Sequence, residues 1–139
     1  MSMDRLWAGW RTDYVTTATG QPDGCVFCGL LDSGLPDDES LIIWRGERVF
    51  AILNAYPYTS GHLLVMPVRH VADIDELESD EAAELWGAVT DAVRAVKSAY
   101  SPDGLNIGAN LGRAAGAGVP GHFHIHALPR WSGDTNFLS

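Results

Sequence analysis

Residues Ser79–Tyr100 constrain the fold of this 139-residue chain more than any other stretch. Leu85, Trp86, Val89, Ala92, Val93, Val96 and Tyr100 recur at three- and four-residue steps, which gives a helix one apolar face. Ser79 or Asp80 is expected to cap its start, with Glu81 and Glu84 near the positive end of its dipole, and Pro102-Asp-Gly104 stops it. At about 1.5 Å per residue such a helix runs some 30 Å, enough to cross a sheet of several strands. The rest reads as short strands and turns. Residues 41–45 and 48–54 predict a hairpin about Gly46-Glu47, residues 62–67 an apolar central strand, and residues 105–110 and 121–129 two strands after the helix. Residues 25–31 suit one or two helical turns; residues 34–38, 56–61 and 111–121 read as loops. One long helix with strands in hairpin-like succession predicts an α+β fold, a five-stranded and mainly antiparallel sheet covered on one face.

The last strand carries His122, His124 and His126, with Phe123, Ile125 and Ala127 between them. Period-two alternation puts the three imidazoles on one face, roughly 7 Å apart, and the apolar residues on the other. The histidine face is expected to open on a cleft. Imidazole is a nucleophile, a proton carrier or a metal ligand near neutral pH. Toward phosphorus it can form a phosphoramidate intermediate that a second acceptor breaks down. His124, in the middle, and His126 are the candidates for attack and for donation to phosphate oxygens. The glycine-rich run Gly112-Arg-Ala-Ala-Gly-Ala-Gly118 just upstream can present backbone N–H groups to phosphate, although it is no Walker loop. Asn110 faces that loop and can bind phosphate or form a turn. Asn54 ends a strand, where it can meet a ribose or begin a turn. His62 is expected to be a packed or hydrogen-bonded imidazole.

The two cysteines, Cys25 and Cys28, have a common chelate spacing. Zinc asks for four Cys and His ligands, and His70 and His122 would complete the set, clipping the N-terminal turn to the sheet as a structural site. A redox pair is the weaker reading, because turn-rich sequence precedes the cysteines. Use of all three triad histidines as ligands is the competing metal hypothesis.

Net charge is −9, from 18 acids against 9 Lys and Arg, so neither nucleic acid nor an anionic membrane is an expected partner. Eight acids fall between Asp73 and Asp91, whereas from Pro102 to Ser139 there are two, Asp103 and Asp134, balanced by Arg113 and Arg130. The histidine segment is thus the part most tolerant of a small phosphorylated ligand. No apolar run is long enough to span a bilayer, and the N-terminal residues lack a secretory core, so a cytoplasmic location is expected. Trp7, Trp10 and Tyr14 are possible anchors on the body or on a partner subunit.

His122-Phe-His-Ile-His-Ala-Leu128, the strand Gly61-His-Leu-Leu-Val-Met-Pro-Val-Arg-His70 and the Asn110 loop together resemble the histidine-triad (HIT) superfamily. Cys25-Val-Phe-Cys28 resembles its zinc-binding subset, and the stretch from Leu128 to Phe137 its bacterial branch similar to diadenosine polyphosphate phosphorylases and hydrolases. The resemblance makes residues 25–139 the HIT domain and residues 1–24 an N-terminal extension. It implies a homodimer whose two sheets join into ten strands, and chemistry at the α-phosphate of a dinucleoside polyphosphate or nucleoside phosphoramidate. By resemblance His124 becomes nucleotidylated, His126 contacts phosphate, and His122 orients the site and ligates zinc with Cys25, Cys28 and His70. Phe27, Leu30 and Ile52 fall where the family packs the base, Asn54 at the ribose, and Asn110 with Gly116, Ala117 and Gly118 at the phosphates. Many members carry Gln-Ser shortly before the triad; here the place is Gly118-Val-Pro-Gly121, so backbone donors would stand in for those side chains. A non-catalytic nucleotide-binding protein is the alternative that this departure motivates.

Overall fold

The computed structural model describes residues 24–54 and 61–134. The expectations for residues 1–23, with Trp7, Trp10 and Tyr14, for most of the loop at 56–61 and for the end of the Leu128 to Phe137 stretch lie outside the described residues. The element order is α1 (Val26–Asp32), α2 (Asp37–Ser40), β1 (Ile42–Arg45), β2 (Val49–Leu53), β3 (Leu63–Pro67), α3 (Ser79–Tyr100), β4 (Gly104–Gly108) and β5 (Ile125–Arg130), with 3-10 turns at Ile74–Glu76 and Arg113–Ala115. The strands form one antiparallel sheet in the order β1-β2-β3-β5-β4. β3 is central, as its uninterrupted apolar sequence requires.

Alternation sorts the strand residues into two apolar layers. Val49, Ala51, Leu63, Val65, Phe123, Ile125 and Ala127 meet Leu85, Ala88, Val89, Ala92 and Val96 of α3. On the opposite face Phe50, Ile52, Leu64 and Met66 meet Cys25, Val26, Phe27 and Leu30 from the segment of α1. The short helix therefore covers the face that carries the histidines.

Three local expectations are corrected. The N-cap of α3 is Glu78, in a capping box with Glu81; the Glu81 carboxylate accepts the Glu78 N–H at 2.9 Å and also two bonds from Arg69, at 2.8 and 2.6 Å. Trp86 and Tyr100 are exposed, because α3 buries a narrower stripe around Leu85, Val89, Ala92 and Val96. The last strand begins at Ile125 rather than residue 121. The Phe123 N–H donates to the Val71 carbonyl at 2.6 Å, which holds the approach to β5 outside the β3–β5 ladder.

Candidate functional site

The alternation survives the shortened strand. Phe123, Ile125 and Ala127 enter the α3 core, and the histidines point to the other face. The expected open cleft is not what they meet. His122 is fully buried, and His124 is 8% exposed. Phe27, itself 2% exposed, sets its ring edge-on to both, with centroids at 5.7 Å from His122 and 5.1 Å from His124. His126 lies between Leu64 of β3 and Gly108 of β4 in the register of the sheet. Glycine at 108 leaves no side chain beside that imidazole on the β4 side.

Carbonyl partners assign two of the rings their tautomers, because a carbonyl only accepts. His124 donates from Nδ1 to the His122 carbonyl at 2.9 Å, so Nε2 carries the lone pair of the neutral ring. His122 donates from Nε2 to the Pro67 carbonyl at 2.8 Å, so its Nδ1 carries the lone pair. His62, at the start of β3 and almost wholly buried, joins the set: its Nε2 lies 2.8 Å from His126 Nδ1, and its Nδ1 lies 3.1 Å from Asn54 Nδ2. With the Asn54 amide donating to His62, His62 donates to His126, and His126 holds its own hydrogen on Nε2. Burial, then the neighbouring His126 and His124, pushes His62 down to about 3. Burial, then His124, pushes His126 down to about 4. Both rings are neutral at pH 7.

His62 is the packed, hydrogen-bonded imidazole its sequence position suggests, and its partner is a triad histidine. Its place opposite the triad follows from β3 pairing with β5, a contact across 64 residues. The signal available was a histidine opening an apolar central strand, a costly position for a polar ring without a partner.

The four residues singled out for metal come together. Cys25 Sγ is 3.4 Å and Cys28 Sγ 3.5 Å from His122 Nδ1, and Cys28 Sγ is 3.4 Å from His70 Nδ1. All four donor atoms lie within 4.8 Å of one another. Tetrahedral zinc, at about 2.3 Å from sulfur and about 2.0–2.1 Å from nitrogen, would place S and N about 3.5 Å apart. The donor set and its spacing fit. The His122 bond to Pro67 supplies the outer contact that presents Nδ1 to a cation. In contrast, the three triad rings do not turn toward one point, since His122 faces the thiols while His124 uses its Nδ1 on a carbonyl.

The remaining residues divide. Phe27, Leu30 and Ile52 share one apolar cluster against the histidine side. Asn54 closes onto His62. Asn110 donates to the Gly116 carbonyl at 3.4 Å, and Gly116 is in the left-handed region at φ +99°, which favours glycine there. Gly118 is exposed, and Ala117 is half-buried.

A HIT domain family model matches residues 36–133. An AP-4-A phosphorylase of Mycobacterium tuberculosis is 38% identical over 142 residues, covering 99% of this chain and 73% of the relative. A HIT family protein from Bacillus anthracis superposes with a TM-score of 0.71 at 33% identity, covering 78% of this chain and 74% of that one. A Zn-bound histidine triad family protein from Mycobacterium smegmatis superposes with a TM-score of 0.68 at 33% identity, covering 83% and 79%. On the fold, the alternating histidines and these matches, the chain belongs to the HIT domain family.

Proposed function

We propose that this protein is a nucleotide hydrolase or phosphorylase that works through a nucleotidyl-His124 intermediate. The observation that carries the reading is the His124 tautomer: Nδ1 is committed to the His122 carbonyl, which directs the lone pair to Nε2. Nε2 attacks the α-phosphorus, the bond to the leaving group breaks, and the leaving group departs with the electron pair. Water or inorganic phosphate then attacks the same phosphorus and returns the pair to Nε2. His126, held by His62 with its N–H on Nε2, would donate to a non-bridging oxygen. Asn110 with Gly116, Ala117 and Gly118 would bind phosphate, Asn54 would meet the ribose, and Phe27, Leu30 and Ile52 would wall the base. The 38% identity to an AP-4-A phosphorylase favours a dinucleoside polyphosphate as substrate.

Zinc held by Cys25, Cys28, His70 and His122 would supply a structural cross-link between the α1 segment and the histidine segment. That role supports a nucleophilic His124 over a centre made of three triad ligands. A cytoplasmic setting, where thiols stay reduced, suits the cysteines as ligands. The described helices include none long and apolar enough to cross a membrane.

The homodimer is part of this reading. β4 is an edge strand, and Ile107 on it, with Ile74, Trp86 and Leu111 nearby, leaves large apolar side chains exposed around a hollow of about 260 Å³. An open apolar edge favours pairing with a second copy, and antiparallel pairing about a two-fold axis would give ten strands.

The test is turnover of diadenosine tetraphosphate, with and without inorganic phosphate, by wild type and His124→Asn. A labelled nucleotidyl-protein trapped with wild type and absent from the variant is expected. Equal rates in the two proteins would remove His124 from the mechanism; binding without any intermediate would favour the non-catalytic alternative.

A further inference from the structure

The chain is strongly acidic, yet residues 104–133 contain no carboxylate. That stretch holds β4, the glycine loop and all three triad histidines. Its two cations differ in kind. Arg130 is bound to Asp134 and to Asn106. Arg113 is exposed, and it is the one arginine among the described residues without an ion pair. Arg45, Arg48, Arg69, Arg94 and Arg130 each meet a carboxylate. Arg113 sits on a short, cross-braced loop. The loop leaves β4 just past Gly108, opposite His126. The Ala115 and Ala117 N–H groups donate to the Gly112 carbonyl, and Asn110 holds the Gly116 carbonyl.

The same loop lacks a second thing. Gly118-Val-Pro-Gly121 has no side chain able to deliver a proton to a leaving group. An amine expelled from phosphorus must gain a proton. A polyphosphate leaves as an oxyanion, its last ionisation near about 6, and calls for positive charge instead. His62 and His126 do not supply that charge, since burial keeps both neutral at pH 7.

We propose that Arg113 binds the phosphates beyond the α-phosphate and so selects substrates with a polyphosphate leaving group over those that expel an amine. This rests on His124 as nucleophile. As Nε2 bonds to the α-phosphorus, the bond from phosphorus to the bridging oxygen breaks. Its electron pair passes to the end of the departing polyphosphate, and the guanidinium faces that added charge. A hydrogen bond to a charged group is worth about tenfold or more, and it is screened by salt.

The experiment compares diadenosine tetraphosphate with adenosine 5′-phosphoramidate for wild type, Arg113→Ala and Arg113→Lys. Arg113→Ala is expected to lower kcat/KM for the tetraphosphate about tenfold, to leave the phosphoramidate within twofold, and to flatten the salt dependence of the former; Arg113→Lys recovers part of the loss. Equal effects on both substrates, or none on either, would overturn the assignment. Equilibrium binding of ATP and AMP supplies a readout independent of turnover. ATP affinity is expected to fall about tenfold in Arg113→Ala with AMP unchanged, and unchanged ATP affinity overturns the proposal. If wild type processes neither substrate, the nucleophile reading fails, and Arg113 is then judged on ATP binding.

Discussion

Acid should destabilise this protein through two buried rings before its carboxylates titrate. An unfolded histidine titrates near about 6.5, whereas His62 and His126 in the fold are pushed down to about 3 and about 4. Between these limits the unfolded chain binds more protons than the folded one, so stability falls as pH falls. The contribution is fully present above about 6.5 and is lost progressively toward the folded values. At pH 5 each shift taken alone costs about 2 kcal/mol. At pH 5 both rings are still neutral in the fold, so their mutual repulsion hardly enters and the pair costs close to the sum, about 4 kcal/mol. His62→Gln isolates the effect. Its amide can still donate toward His126 Nδ1, but it does not titrate. Urea unfolding followed by tryptophan fluorescence, at pH 7 and pH 5 with constant zinc in excess, is the assay. The variant is expected to lose about 2 kcal/mol less than wild type over that interval. Metal-linked protonation is common to both proteins and cancels. Parallel losses would refute the reasoning, since they would mean that the His62 ring is as easily protonated in the fold as outside it.

Elemental analysis is expected to find one zinc per chain, lost in Cys28→Ala and His70→Ala and kept in His124→Asn; the reverse pattern would move the metal onto the triad. At a hundredfold excess over Kd, bound metal adds about 2.7 kcal/mol, so chelation should lower Tm by about 8 °C in wild type and leave Cys28→Ala unmoved. Trp86→Asp and Ile107→Asp are each expected to shift a dimer to monomer in sedimentation velocity. A wild-type monomer at micromolar concentration would reject β4 as a pairing edge.

Much of the site was legible because its signals are local. Cys25 and Cys28 are three residues apart, so any helical turn brings their sulfurs together. Period-two alternation at residues 122–127 assigns faces whether or not the backbone enters a ladder, which is why the faces held when β5 began only at Ile125. The strand boundary was not legible, because it depends on the Val71 carbonyl taking the Phe123 N–H from a turn 52 residues away. The cap of α3 was missed for a similar reason. Glu78 outcompetes Ser79 because Glu81 answers it in a capping box and Arg69 neutralises that buried carboxylate.

The sequence by itself determined the long helix and the five strands, the central place of β3, the two faces of the last strand and the four residues able to share a cation. Each of these follows from spacing within a segment or from the chemistry of the side chain. Tertiary structure alone decided which nitrogen of His122 and of His124 carries the hydrogen, and which partners His62 meets. That choice depends on carbonyls and amides at Pro67, His122 and Asn54, brought alongside by strand pairing. It also decided that Phe27 and α1 cover the histidine face, and that Arg113 stands apart from every described carboxylate. Pairings between distant segments have no periodicity to announce them; they exist only once the sheet has closed its register.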